Sequence, residues 1–276
     1  AIASTSPSQR PHDMAALYPA YPRQTLIALQ TLAWKETHRY LRIWVQTLVP
    51  PAITMTLYFI IFGSLIGSRV GPMDGYSFME YIAPGIIMIS VITNSYTNVV
   101  SSFFGAKFQR HIEELLVSPT PNYVILAGYV AGGVGRGLLT GLIVTIIASF
   151  FADLSVHSIP VTISVVFLTA VLFSLGGFIN GVFAKKFDDI AIVPTFILTP
   201  LTYLGGVFYS ISLLPDFWQT LSMANPILYM VNAFRYGILG SSDIPLATAY
   251  TLVIGFIIAG TALSLWLLRR GTGLRS

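Results

Sequence analysis

Six long apolar stretches, at about 43–67, 81–104, 123–151, 159–184, 190–208 and 246–268, constrain this chain more than any other feature. Each supplies about the ~20 helical residues that a bilayer core requires. Among lipid tails no water satisfies a free N–H or C=O, so such runs must be helices that close their own hydrogen bonds. Charged residues make up 9% of the chain and mean hydropathy is +0.74, too little polar surface to wet six such helices in a soluble bundle.

The basic residues orient these spans. Arg10, Arg23, Lys35, Arg39 and Arg42 precede the first, Lys107 and Arg110 follow the second, Lys185 and Lys186 follow the fourth, and Arg269, Arg270 and Arg275 follow the sixth. The first, third and fifth connections hold only Arg69 and Arg235. Positive segments stay in the cytoplasm. The expected fold is therefore all-α and integral to the membrane, with six transmembrane helices and both termini cytoplasmic. Residues 1–22, rich in Ser, Pro and Ala, read as a disordered leader or an expression remnant with Met14 as a candidate start, and 23–276 as one membrane domain. The sequence pI near 9.3 suggests nucleic acid, yet its basic residues are spread along cytoplasmic edges, where anionic membrane lipid accounts for them; nucleic acid is discounted as a partner. Segment 24–42 places Leu26, Leu29, Ala33 and Thr37 on one helical side and Lys35, His38, Arg39 and Arg42 towards another. It reads as an amphipathic helix along the cytoplasmic interface, or as a plain basic lead-in.

Three intramembrane features go beyond hydropathy. Gly128, Gly132, Gly133, Gly137 and Gly141 strip one face of the third span to backbone, which admits a neighbouring helix. Arg136 lies in that run and must face protein, water or an interface, either capping and pairing between helices or touching a substrate. Ser90, Asn94, Thr97, Asn98 and Ser101 share one face of the second span, and Thr195, Thr199 and Thr202 repeat the pattern in the fifth, broken by Pro194 and Pro200. Such faces serve interhelical hydrogen bonds or line one path, to which Tyr203 is added. None of the eleven Asp and Glu lies deep in a span, which argues against a proton-driven carrier.

Enzymatic motifs are missing. The sequence shows neither a metal-binding HExxH nor a phosphate-cradling GxxxxGK[ST], so no catalytic, metal or cofactor site is assigned. His111 with Glu113 and Glu114 reads as a solvated helix face sooner than a metal cluster. Any ATP must bind to a separate chain.

Residues 188–237, DDIAIVPTFILTPLTYLGGVFYSISLLPDFWQTLSMANPILYMVNAFRYG, resemble the C-terminal signature of the ABC-2 type permeases, the membrane subunits of bacterial ABC exporters. Residues 106–133, AKFQRHIEELLVSPTPNYVILAGYVAGG, are similar to a second family element. The resemblance implies an inner-membrane homodimer joined to an ABC nucleotide-binding subunit, which carries ATP and Mg. It implies a coupling helix at 109–118, with His111, Glu113, Glu114 and Leu115 seated in the ATPase and Lys35 and Arg39 flanking it. It also implies a re-entrant outer hairpin between the fifth and sixth helices, with Phe217, Trp218, Asn225 and Pro226 at its gate. An amphipathic, lipid-linked or drug-like substrate suits the weakly polar lining. The alternative function is an ATP-independent carrier or channel.

Overall fold

The structure is a computed structural model, and it describes residues 22–271 and 273; the expected leader lies outside the described residues, apart from Pro22. Ten helices carry the architecture: α1 (Pro22–Arg42), α2 (Trp44–Gly63), α3 (Phe78–Phe108), α4 (His111–Val117), α5 (Asn122–Ala148), α6 (Ile159–Phe183), α7 (Asp189–Tyr203), α8 (Asp216–Met223), α9 (Pro226–Leu239) and α10 (Leu246–Arg270). No strand occurs among the described residues. Five helices, α2, α3, α5, α6 and α10, are long and apolar enough to cross a membrane.

The fifth apolar stretch, expected over 190–208, forms the shorter α7. Its fifteen residues rise only about 22 Å at 1.5 Å each, against a ~30 Å core. Two prolines explain the irregularity, because neither has an N–H to give to the preceding turn. Pro194 opens a π-helical segment, Pro194–Leu198. The Ile190 carbonyl that Pro194 cannot satisfy accepts instead from the Asn180 side chain of α6 (3.4 Å). Thr199 Oγ1 donates to the Pro194 carbonyl (2.9 Å) and Thr202 Oγ1 to that of Leu198 (2.6 Å), so both threonines serve their own helix. Gly206, at φ +66°, then turns the chain away.

The α3 helix is the centre of the bundle. A capping box starts it, in which the Glu80 N–H donates to Ser77 Oγ (3.3 Å) and the Ser77 N–H to Glu80 Oε2 (2.8 Å). Its buried face meets α5 and α6 at backbone distance. A Cβ on Gly137 would stand 1.9 Å from Ser95 Oγ, and one on Gly177 of α6 would stand 2.4 Å from the Tyr96 carbonyl oxygen.

The other side of α5 is covered by α1. Leu32, Glu36 and Tyr40, at four-residue spacing, are its buried residues and lie over Gly128, Gly132 and Gly135. The face expected from sequence is thus rotated: Leu26 is exposed, and Glu36 is docked because a glycine offers it room. Gly177→Ala should cost about 1–3 kcal/mol through overpacking, lowering the thermal unfolding midpoint in detergent. Gly255→Ala on α10, where a Cβ meets nothing within 4 Å, should not lower it.

Candidate functional site

The polar face of α3 divides into two rows. Ser90, Asn94 and Asn98 are buried, whereas Thr93 is exposed and Thr97 and Ser101 are half-buried. The buried row is engaged by arginines. Arg136 of α5 donates from Nη2 to Asn94 Oδ1 (3.1 Å) and to the Thr47 carbonyl of α2 (3.2 Å). Arg39 of α1 donates from Nη2 to Asn98 Oδ1 (2.8 Å) and to the Asn98 carbonyl (3.0 Å), and from Nε to Glu36 Oε2 (3.3 Å). Asn94 and Asn98 are four residues apart, so the two guanidiniums are held about one helical turn, ~5.4 Å, from each other along α3.

This arrangement gives Asn94, Asn98 and Arg136 an interhelical hydrogen-bonding geometry. Arg39 turns inward as well. Lys35 remains exposed on the outer side of α1. Glu36, 1% exposed, is a buried carboxylate outside the five long helices, which hydropathy could not reveal. The α7 residues Thr195, Thr199 and Tyr203 are exposed, while Thr202 is buried and bonded within its helix. Tyr203 and Phe208 gather with Tyr58 and Phe62 of α2 into one aromatic cluster, the Phe62 and Phe208 rings stacking at 4.7 Å.

At the other end of α3 the chain reverses through Arg110, at φ +62°, into α4. Ile112 is fully buried and Leu115 and Leu116 pack with it against Phe103, Ile125 and Tyr129. Leu115 therefore anchors α4 to its own chain. His111, Glu113, Glu114 and Val117 remain on the exposed side, Val117 by 80%. Lys107, just before the reversal, donates to the Val182 (2.6 Å) and Ala184 (2.7 Å) carbonyls at the end of α6. Those carbonyls are orphans of the helix terminus, which a cation suits.

Beyond α7 the hairpin residues form α8 and α9. Phe217 and Trp218 are exposed on α8, and Asn225 caps α9 by accepting from the Ile227 N–H (3.0 Å) while donating to the Leu201 carbonyl (2.5 Å). Pro226 occupies the first turn of α9, where a missing N–H costs nothing. Arg235 was legible only as a loop cation. It is buried, donating to the Gly206 (2.6 Å) and Tyr81 (3.3 Å) carbonyls with its guanidinium 4.0 Å over the Tyr81 ring. The apolar run around it, NPILYMVNAFRYG, was the available signal. Arg235→Met should remove about 1.5–3 kcal/mol, read as a lower unfolding midpoint.

Five long apolar helices, with α3 at their centre against α2, α5 and α6 and charged side chains tied to backbone inside the bundle, define a multi-pass membrane protein. Residues 27–239 match the ABC-2 type transporter family. The chain belongs to that family. It is 63% identical over 250 residues to the inner membrane transport permease YadH of Escherichia coli strain K12, covering 91% of this chain and 98% of that protein. It is 24% identical over 240 residues to nodulation protein J of Rhizobium leguminosarum bv. viciae, covering 87% and 90%.

Proposed function

We propose that this chain is the membrane subunit of an ATP-driven exporter in the bacterial inner membrane, working as a homodimer with a separate ABC ATPase subunit. The observation that carries the reading is α4. A short helix is fixed to the core by Ile112 and Leu115 while its carboxylates, Glu113 and Glu114, point outward at the joint between two long helices. A partner pressing on such a helix moves α3 and α5 with it. Family membership supports an ATPase as that partner, and the name borne by the YadH relatives supports the inner membrane and transport.

In this reading α7 is a sixth, thinned crossing, both chain ends are cytoplasmic, and α8–α9 form a hairpin turned back into the outer leaflet. Its exposed aromatic residues, Phe217 and Trp218, suit such a position, and Arg235 ties it to α3. The path runs along the solvent- or lipid-facing row of α3, Thr93, Thr97 and Ser101, and along Thr195, Thr199 and Tyr203 of α7, from two protomers. ATP binding on the partner closes its two copies, the α4 helices move as levers, and the aromatic cluster at Tyr58, Phe62, Tyr203 and Phe208 opens. The cargo is an amphipathic, lipid-linked or drug-like molecule.

An ATP-independent carrier is the second reading. Glu36 is the single observation in its favour, and its ion pair with Arg39 leaves it a structural task instead. Replacing Glu113 and Glu114 with Lys should abolish co-purification of the ATPase in mild detergent without changing the unfolding midpoint. Full retention of a stimulated ATPase by the double variant would contradict the docking role.

A further inference from the structure

The charge distribution around the α1–α3 seam is one-sided. The α1 helix, the α5 helix and α3 beyond Glu80 together carry Arg23, Lys35, Arg39, Arg42, Lys107 and Arg136 against a single carboxylate, Glu36. Glu36 is paired with Arg39, so Arg136 has only a carbonyl and an amide as partners. Donor capacity is left over in the same place. Arg136 Nε and Asn98 Nδ2 are buried with no hydrogen-bond partner among the described residues, on residues that are 9% and 0% exposed. A buried arginine without a counter-charge is costly in a membrane, and the seam has cationic character that no further carboxylate among the described residues neutralises.

The seam is also reachable. The Arg39 side chain is 32% exposed, and the row beside its Asn98 contact is Thr93, exposed, with Thr97 and Ser101 half-buried. Around the end of α1 the exposed residues are mostly apolar, Leu41, Ile43, Trp44 and Val45, with Arg42 and Gln46 exposed among them. A polar, cationic strip bordered by apolar surface fits a molecule with an anionic head and a hydrocarbon body. A guanidinium fork with neighbouring hydroxyl groups matches phosphate oxygens.

We infer that Arg39, held from behind by Asn98 and with Thr97 and Ser101 of the open row beside it, is the headgroup site for a phosphate-bearing amphiphile at the inner end of the path. The inference rests on the exporter reading and narrows its cargo to anionic molecules. Cationic amphiphiles are refused because the strip offers them no free carboxylate. Arg136 holds the strip from behind through Asn94 and adds its charge to the potential there.

The test needs only the permease, and so separates this claim from ATPase docking. In dodecyl maltoside micelles, native mass spectrometry would count dodecyl phosphate or dodecyltrimethylammonium retained by the chain. The expected result is saturable dodecyl phosphate binding and no saturable dodecyltrimethylammonium binding. Arg39→Gln should weaken the former at least tenfold, with Arg39→Lys restoring part of it. Thr97→Asp, a second variant at a half-buried position, should abolish it. Equal retention of both amphiphiles, or unchanged affinity in Arg39→Gln and Thr97→Asp, would overturn the assignment. Competition by inorganic phosphate at the same concentration as dodecyl phosphate would overturn its amphiphile part.

Discussion

The contact on which the rest of the structure depends is that between bare backbone surfaces on α5. Its glycines let α1 approach from one side and α3 from the other, so that Leu32 and Glu36 sit over Gly128 and Gly132 while Ser95 faces Gly133 and Gly137. Helices in a membrane gain little from hiding apolar surface from one another, and close packing with polar bonds must supply the attraction. At this separation Arg39 and Arg136 reach across to Asn98 and Asn94. A side chain in place of those glycines would push α1 or α3 away and break both bonds.

Irregularity is concentrated elsewhere. The α2 helix passes into a π-helical stretch at Ile61–Ile66, and α7 contains another at Pro194–Leu198. Such segments hold their hydrogen bonds less well than a regular helix and often accompany function. They meet through aromatic side chains, Tyr58 and Phe62 against Tyr203 and the Phe208 that follows it. The contact of α1, α3 and α5 is thus made by backbone approach and charged hydrogen bonds, that of α2 with α7 by rings.

Much of this was legible in the sequence, for identifiable reasons. Hydropathy located five long helices because a span is a local property of twenty residues. It overestimated the fifth stretch, because Pro194, Pro200 and Gly206 cut a run that remains apolar throughout. The glycine run announced a close approach, yet its second partner was hidden. The docked face of α1 includes Glu36, and a carboxylate reads as solvent-facing until a glycine opposite makes room for it. The stripe on α3 was visible as one face, whereas its division into a buried row and an open row, with Thr93 in the latter, depends on where α1 and α5 lie. Lys107 and Arg235 bond to carbonyls of distant helices, and no linear pattern marks a carbonyl as needing a cation.

The functional account joins these parts. The short α4 helix hangs from the body formed by α1, α3, α5 and α6, and in the proposed reading force applied to Glu113 and Glu114 moves that body as one piece against α7. The chain holds no cysteine, so spin labels can be placed at chosen pairs without background. The direct measurement is the distance between labels at Thr31 on α1 and Leu142 on α5, and between Leu142 and Phe196 on α7, in the ATPase-bound permease with and without ATP. The account predicts a constant first distance and a changed second one. A first distance that shifts with nucleotide, while the second stays fixed, would contradict it.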